Sequence, residues 1–307
     1  MIEIFARSQG MREAVSLAER VSSTDANVLI TGESGAGKDL LASFIHLKSK
    51  RAAHPFVKID CATLPGELLE AELFGFERGA FTGAVEAKAG RFEAAHKGTV
   101  VLDEIAHLST DAQAKLLRVI ERREFERLGG RKTIKLDVRL MALTNVDLDA
   151  AVKVGRFRED LFYRLNVINI RIPPLRERKE DLSQLVEHFL KLYSAKHGRN
   201  VQRAAADART LLKAYDYPGN ARELANIIER AVIVAEGKKL EEHDLPAGLS
   251  AAVSAQQLKE KPRSLAQVEA AYISEMLAAT GGNKTECARI LGISRKNLYE
   301  KIARYKI

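Results

Sequence analysis

The fold of this chain is best predicted from one stretch of sequence, Asn27-Val28-Leu29-Ile30-Thr31-Gly32-Glu33-Ser34-Gly35-Ala36-Gly37-Lys38-Asp39. Its first four residues are an apolar run, which predicts a buried strand over 27–30. The three glycines allow unusual backbone dihedrals, so that successive N–H groups can surround a phosphate. A helix is predicted to begin near Lys38 and to include Leu40, and its dipole and the lysine charge both attract anions. Gly32 to Leu40 therefore predict an ATP-binding loop; the alternative is a glycine-rich turn before an ordinary helix.

A second apolar run, Thr99-Val100-Val101-Leu102, ends in two adjacent carboxylates. At the carboxyl end of a parallel strand, one acid can hold Mg²⁺ and the next can polarise the attacking water. We assign Asp103 to the metal and Glu104 to the water; the alternative is an acidic start of a helix. The residue after the loop lysine is usually Ser or Thr, which ligates Mg²⁺, so Asp39 is a second candidate metal ligand.

Length and composition bound the function. The 307 residues suffice for two or three domains, and a hydrophobic content of 46% supports a large core. We find no signal peptide pattern and no apolar run that approaches about 18 residues, so no membrane contact is expected. Two distant cysteines, Cys61 and Cys287, favour a reducing cytoplasm over a disulfide framework. The net charge of +8 indicates an anionic partner.

Composition also divides the chain into sections. Residues 1–172 alternate apolar runs with helical patterns, which predicts an α/β fold with a parallel sheet flanked by helices. Residues 173–247 have a helical pattern, and 248–262 are small, polar and aperiodic, which predicts a linker. The predicted strands are Asn27–Ile30, Phe56–Asp60, Thr99–Leu102, Val138–Leu143 and Val167–Ile170.

The last section, residues 263–307, is basic and predicts three helices: Leu265–Ala279, Asn283–Leu291 and Arg295–Tyr305. The second and third are joined by Gly292-Ile293-Ser294, in which Ser294 is a good N-cap. This spacing is typical of a helix-turn-helix that binds double-stranded DNA. The alternative is a small helical bundle with a solvated basic face. The predicted DNA-binding residues are Ser294, Arg295, Lys296, Asn297, Tyr299 and Lys301.

The hexapeptide Gly79-Ala80-Phe81-Thr82-Gly83-Ala84 lies between the two halves of the predicted ATP site and follows Leu73-Phe74-Gly75. On these motifs the chain resembles bacterial enhancer-binding proteins of the NtrC type, AAA+ ATPases that activate RNA polymerase carrying sigma-54. The resemblance covers nearly the whole length. It implies an AAA+ α/β ATPase subdomain over 1–172, an α-helical lid over 173–247 and a Fis-type helix-turn-helix over 263–307. It also implies that the hexapeptide contacts sigma-54, mainly through Phe81 and Thr82; the alternative is a Phe81 buried as a loop anchor.

The resemblance assigns further roles within the ATPase. Gly129-Gly130 resembles a second substrate-facing loop, and Ala142-Leu143-Thr144-Asn145 resembles the first sensor, with Asn145 near the γ-phosphate. In Tyr217-Pro218-Gly219-Asn220-Ala221-Arg222-Glu223-Leu224, Arg222 would sense the nucleotide from the lid.

The segment 157–166 resembles the part of the family that carries arginine fingers, here Arg158 and Arg164. Fingers that act in trans imply a homo-oligomeric ring, hexameric by resemblance. Six residues correspond to about 600° of helix, so the two arginines cannot share one helical face. Either the segment bends, or one arginine reaches the γ-phosphate while the other holds the interface. The alternative is a structural ion pair between Asp160 and Arg164 at i,i+4 spacing.

Three features depart from the family pattern. Asp60 stands where the family has an asparagine that partners the catalytic glutamate, so two carboxylates meet, and either one pKa rises or a cation bridges them. We therefore expect altered coupling between hydrolysis and loop movement. Tyr217 replaces the usual tryptophan, which is a mild change. The segment before the phosphate loop is too short for a receiver domain, which predicts a regulatory partner acting in trans or a longer parent protein.

The sequence thus predicts a cytoplasmic sigma-54-dependent transcriptional activator. It would bind DNA upstream of promoters and use ATP and Mg²⁺ in a ring to remodel the closed complex of the sigma-54 RNA polymerase holoenzyme. One alternative is a DNA-binding regulator with a degenerate ATPase, against which Lys38, Asp103 and Glu104 argue. The other is a different AAA+ remodelling ATPase, which the hexapeptide disfavours.

Overall fold

The structure is a computed structural model that describes residues 4–251, 253 and 264–305. The chain divides into two compact units, Met1–Pro246 and Ala247–Ile307. The first unit holds the central sheet and the helical lid, and the second holds the C-terminal helices.

A five-stranded parallel sheet with the strand order β2-β5-β8-β1-β9 forms the centre of the first unit. Its strands are β1 (Val28–Thr31), β2 (Phe56–Asp60), β5 (Thr99–Asp103), β8 (Arg139–Thr144) and β9 (Ile168–Arg171). All five predicted strands are confirmed, and β2 has the predicted bounds. The other four extend one residue further at the carboxyl end, and β1, β8 and β9 also begin one residue later than predicted. The reason is that polar residues there, such as Thr31 opposite Thr144 and Arg171, continue the ladder beyond the apolar run.

Successive residues of the inner strands point to opposite faces of the sheet, and each face packs against its own helices. Leu29, Leu102 and Ala142 belong to one core cluster, whereas Ile30 and Met141 belong to another on the opposite face. The predicted sheet with helices on both sides is therefore confirmed. The helices of this part are α1 (Gln9–Ser22), α2 (Lys38–Leu47), α3 (Gly66–Phe74), α4 (Arg91–Ala94), α5 (Thr110–Arg122), α6 (Leu148–Lys153) and α7 (Glu159–Leu165).

Two short antiparallel hairpins project from this part, and the sequence pattern did not reveal their strands. The first pairs β3 (Gly75–Phe76) with β4 (Lys88–Ala89), and the second pairs β6 (Glu124–Glu126) with β7 (Thr133–Lys135). Backbone hydrogen bonds join their bases: Glu77 N–H donates to the carbonyl of Leu128, and Leu128 N–H donates to that of Gly75, both at 2.9 Å.

The predicted helical section follows the sheet. It contains α8 (Leu182–Lys196), α9 (Ala206–Ala214) and α10 (Asn220–Val234), with β10 (Arg203–Ala204) parallel to β11 (Lys239–Leu240). The linker predicted from 248 needs correction at its start, because residues 247–251 and 253 are helical. Leu249 and Val253, four residues apart, are buried on one face, which the small and polar composition obscured. Residues 254–262 of the predicted linker lie outside the described part of the chain.

The second unit contains the three predicted helices, α11 (Leu265–Ala279), α12 (Lys284–Ile290) and α13 (Arg295–Tyr305). Asn283 caps α12, and Ser294 accepts a hydrogen bond from Asn297 N–H at the start of α13, as predicted for an N-cap. Ile273, Cys287, Ala288 and Leu298 form the small core.

Candidate functional site

The glycine-rich loop leaves β1 at the carboxyl edge of the sheet and enters α2 at Lys38. Gly35 has a φ of +74°, and a Cβ there would lie 2.3 Å from the carbonyl oxygen of Gly219 in the lid, so no side chain fits. Lys38 is buried, and its ammonium donates to the carbonyl oxygen of Gly32 at 2.8 Å. The loop therefore curls around a positive charge directly beneath the lid.

Two carboxylates at the end of β5 face this loop. Glu104 Oε1 lies 3.7 Å from the ammonium of Lys38, and its Oε2 accepts a long hydrogen bond of 3.4 Å from the backbone N–H of Asn145. Glu104 has a φ of +51°, a strained value for a non-glycine residue that is common at functional sites. The structure thus brings together Lys38, Glu104 and Asn145. The hydrogen bond from Asn145 to Glu104 comes from its backbone N–H and not from its side-chain amide.

Lys58, which the sequence analysis missed, joins the two predicted metal ligands. Its ammonium lies 2.7 Å from Asp39 Oδ1 and 2.8 Å from Asp103 Oδ2. Burial opposes the charge of Lys58, but hydrogen bonds to Asp103 and Asp39 outweigh burial and raise its pKa. The sequence did not predict this role, because a lysine between apolar residues of a strand has the pattern of any residue that faces solvent.

These two carboxylates fit a magnesium ion that arrives with a nucleotide. The part of the chain described by the structure contains no group of three or more Asp, Glu, His or Cys side chains arranged for a metal. Mg²⁺ is commonly held by one or two carboxylates together with substrate phosphates, which matches this donor set. The convergence of Asp39 and Asp103 on one ammonium shows that both can face a single cation.

Asp60 lies at the end of β2, directly opposite Asp103 in the ladder. Its carboxylate accepts a hydrogen bond of 2.9 Å from the backbone N–H of Ala62. The expected cation bridge between Asp60 and Glu104 is not what Lys58 provides, because Lys58 joins Asp103 to Asp39 instead.

The lid closes over the loop through three polar residues. Arg222 of the lid donates to the hydroxyl of Ser34 in the loop at 3.1 Å. Glu33 accepts two hydrogen bonds from Arg176, at 2.6 and 2.9 Å, and one of 3.0 Å from Asn220. The hydrogen bonds from Arg176, which has the larger effect, and from Asn220 lower the pKa of Glu33 to about 2.

Asn220 is completely buried between the lid and the loop. Besides Glu33, its amide donates to the carbonyl of Ser34 at 3.0 Å, and its Oδ1 accepts from Leu175 N–H at 2.7 Å. The sequence analysis used this residue only as part of a motif, because its partners are far away along the chain.

The cleft between sheet and lid has a polar part and an apolar part. The polar part, of about 170 Å³, is lined by Lys38, Asp103, Glu104 and Arg222 among others. The apolar part, of about 460 Å³, shares Gly37 and Leu40 with it and continues along Phe5, Met11, Leu185, His188 and Phe189. Residues 173–247 showed only a helical pattern in the sequence, so this half of the cleft was not predicted. A phosphate-sized pocket beside an apolar one is what a nucleotide requires.

The two predicted finger arginines occupy different structural positions. Arg158 precedes α7 and donates to Asp160 at 2.7 and 3.0 Å, whereas Arg164 lies inside α7 and pairs with Glu121 at 3.0 Å. The alternative pair of Asp160 with Arg164 is wrong, because Arg158 occupies Asp160 and lowers its pKa. Arg158 is the N-cap residue with an extended backbone and only Arg164 belongs to the helix, so the two arginines do not lie on one helical segment.

The hexapeptide forms the tip of the first hairpin. Gly79 N–H donates to the carbonyl of Ala84 at 2.9 Å and closes the loop. Phe81 is 39% exposed and contacts Phe76 edge-on at 4.9 Å between ring centroids, so it is not a buried anchor. A Cβ on Gly129 would lie 2.9 Å from Ala80, which places the second loop in contact with the hexapeptide.

The predicted DNA-contacting residues of α13 divide into two groups. Arg295, Lys296 and Asn297 are exposed near its start, and Tyr299 is exposed with the Lys284 ammonium 4.8 Å from its ring centroid. Lys301 is only 22% exposed and pairs with Glu269 of α11 at 2.5 Å. Lys301 therefore has a partner within its own domain, which spacing along the sequence did not reveal.

None of the helices in the described residues is long and apolar enough to cross a membrane.

Three family models match successive parts of the chain. Residues 4–171 match the sigma-54 interaction domain, 176–262 match the AAA+ ATPase lid domain, and 264–305 match the bacterial regulatory protein Fis family.

Similar whole proteins and solved structures cover nearly all of the chain. The chain is 47% identical to the regulatory protein AtoC of Escherichia coli, over 99% of this chain and 68% of AtoC. It is 44% identical to the transcriptional regulatory protein FlbD of Caulobacter vibrioides, over 97% of this chain and 69% of FlbD. The crystal structure of NtrX from Brucella abortus in complex with ATP has a TM-score of 0.77 at 35% identity, over 100% of this chain and 70% of NtrX.

Proposed function

Because this chain belongs to the family of sigma-54-dependent transcriptional regulators with an AAA+ ATPase and a Fis-type helix-turn-helix, we propose that it is an ATP-driven activator. It binds double-stranded DNA upstream of promoters through α13. In a ring of subunits it hydrolyses ATP and remodels the closed complex of the sigma-54 RNA polymerase holoenzyme. The observation that carries this proposal is the approach of Lys38 and Glu104 to 3.7 Å beneath the lid, in a chain whose hexapeptide exposes Phe81.

Different residues of the cleft bind the base, bind the phosphates and activate the water. The apolar part holds the base, and the loop N–H groups with Lys38 hold the phosphates. Glu104 orients and polarises the attacking water, and its strained backbone fixes the direction of the carboxylate. Asp103 and Asp39 would hold Mg²⁺, which neutralises charge on the phosphates when it is bound.

A neighbouring subunit supplies the remaining positive charge. Arg158 is 40% exposed and Arg164 is 61% exposed, and each is held by one surface carboxylate. Exposed ion pairs contribute only about 0–1 kcal/mol, so either arginine can leave its partner at little cost. The fingers are therefore available to a second active site, which makes ring assembly a requirement for turnover.

The path from Glu104 to the hexapeptide runs through two packed helices. Ser109, which caps α5 shortly after Glu104, donates to Glu70 of α3 at 3.0 Å, and Lys115 of α5 pairs with Glu70 at 2.6 Å. Helix α3 leads directly into β3 and the hexapeptide loop. A shift of the segment after Glu104 on loss of the γ-phosphate is thereby passed to the hexapeptide.

ATPase activity measured against protein concentration tests ring assembly and shared catalysis together. We expect specific activity to rise with concentration, Lys38→Ala to weaken nucleotide binding, and Glu104→Gln to bind ATP without turnover. A specific activity independent of concentration would contradict shared sites. No phosphate release by the wild-type chain at any concentration would instead favour a DNA-binding regulator with a degenerate ATPase.

A pull-down of sigma-54 with a transition-state nucleotide analogue tests the target. We expect Thr82→Ala to keep ATPase activity but to lose both sigma-54 capture and transcription activation. The matched control is Thr210→Ala, which truncates an exposed threonine on the lid helix α9 and should behave like the wild type. Equal loss of ATPase and capture in Thr82→Ala would argue against a dedicated contact.

A further inference from the structure

Lys58 occupies a place that the proposed chemistry gives to a metal ion. Its ammonium lies between Asp39 Oδ1 and Asp103 Oδ2, at 2.7 and 2.8 Å. The Asp103 side chain is only 14% exposed, whereas that of Asp39 is 48% exposed, so the Lys58–Asp103 pair is better protected from water than the Lys58–Asp39 pair. A charge pair of this kind is stronger than an exposed one.

The two oxygens of Asp103 are already divided between partners. Oδ1 accepts a hydrogen bond of 3.0 Å from the backbone N–H of Glu104, which fixes the orientation of the carboxylate. Oδ2 is the oxygen that Lys58 holds, at 2.8 Å. A divalent ion bound by Asp103, directly or through water, must compete with the ammonium for this oxygen.

We propose that Lys58 is a positioning residue that acts as a tethered counterion. It holds Asp39 and Asp103 in place before the nucleotide arrives and releases Asp103 when Mg²⁺ enters with the phosphates. Free divalent ions then bind weakly, because they must displace a positive charge without bringing a negative one. The metal–nucleotide complex binds well, since its phosphates give the released ammonium new anionic partners. The site therefore loads metal and nucleotide together. This inference rests on the proposed ATPase function for the identity of the nucleotide.

Binding of Mn²⁺ to the full chain without nucleotide, followed by electron paramagnetic resonance, tests the competition directly. We expect Lys58→Gln to bind Mn²⁺ about tenfold more tightly than the wild type, because the competing charge has been removed. Lys58→Arg keeps the charge and should retain the weak binding of the wild type. Lys213→Gln removes an exposed lysine charge from the lid helix α9 and should also match the wild type.

A second measurement uses fluorescent ADP with and without Mn²⁺. In the presence of a chelator, we expect Lys58→Gln to bind ADP several-fold more weakly, since two uncompensated carboxylates face the phosphates. Mn²⁺ should restore its affinity to near that of the wild type. Circular dichroism establishes that each variant is folded before it is compared.

The outcomes separate the two proposals. Identical Mn²⁺ affinities for the wild type and Lys58→Gln would overturn the tethered-counterion role, whatever the ATPase activity. Tight Mn²⁺ binding by Lys58→Arg would overturn it as well, since charge would then not be the cause. Absence of ATP turnover in the wild type, with the Mn²⁺ difference intact, would refute the ATPase and leave the role of Lys58 standing.

Discussion

Asn220→Ala is expected to loosen the lid from the phosphate loop. The side chain of Asn220 is fully buried and makes three hydrogen bonds, to Leu175, Glu33 and Ser34. The residue also has a φ of +54°, a left-handed conformation that asparagine tolerates and alanine does not. This one substitution therefore removes the hydrogen bonds by which Asn220 joins the lid to the phosphate loop, and it also adds backbone strain at position 220.

The size of the effect follows from these contacts. The buried N–H of Leu175 loses its acceptor, which costs about 1–3 kcal/mol. The two donated bonds add about 1 kcal/mol, and the left-handed alanine adds about 1 kcal/mol. We expect a total loss of roughly 3–5 kcal/mol, and a fall in Tm of about 10 °C for a unit of this size.

Thermal and urea unfolding followed by circular dichroism measure this loss, and titration with fluorescent ADP measures its consequence for the cleft. Asn220→Gly relieves the strain but not the lost bonds, so it should recover about 1 kcal/mol relative to alanine. Asn200→Ala, at an exposed asparagine of the lid, should change Tm by no more than a degree or two.

A loss below about 1 kcal/mol for Asn220→Ala would show that these buried contacts do not hold the lid to the loop, because a buried N–H without an acceptor alone should cost that much. Equal stabilities of the alanine and glycine variants would show that backbone strain contributes nothing.

Three other outcomes follow from the site. Asp60→Asn should change the coupling between ATP hydrolysis and transcription activation, and unchanged values of both would contradict a role for this carboxylate. Hydrogen bonds depress the pKa of Glu33 to about 2, so the stability it contributes is present above its ordinary pKa and lost as the pH falls from about 4.5 towards 2. Because this side chain is 40% exposed, screening limits the contribution to about 1 kcal/mol, and the stability difference between wild type and Glu33→Gln should shrink over that range in urea unfolding. Arg295→Ala should weaken the affinity of the protein for a DNA site and lower the salt dependence of that affinity. Lys301→Ala should mainly lower the Tm of the C-terminal helices. A larger loss of DNA affinity for Lys301→Ala than for Arg295→Ala would reverse this assignment.

The fold could be predicted because its elements follow from local patterns. Short apolar runs marked all five strands of the central sheet to within one residue at either end. The carboxyl ends were missed where polar residues such as Thr31 and Arg171 continue the ladder. Helices α11 and α13 were predicted to the residue because caps and apolar spacing lie within the same short stretch.

The missed parts of the site depend on contacts between distant residues. Asn220 reaches Glu33 across 187 positions, and Arg176 reaches the same carboxylate across 143. Lys58 and Asp103 are neighbours only because β2 and β5 are adjacent in the sheet. No local pattern encodes such partners, so the loop and its acids could be predicted from sequence while the residues that hold them could not.

The shared base of the two hairpins has a mechanical consequence. Since Glu77 and Gly75 are hydrogen-bonded to Leu128, a displacement of one hairpin base is transmitted to the other, and we expect the two tips to move together. A movement of the shared base reaches the tips of both hairpins. The hydrogen bonds at the base also limit how far the distance between the two tips can change. A partner that contacts both tips would be held at two points, where a single loop offers only one.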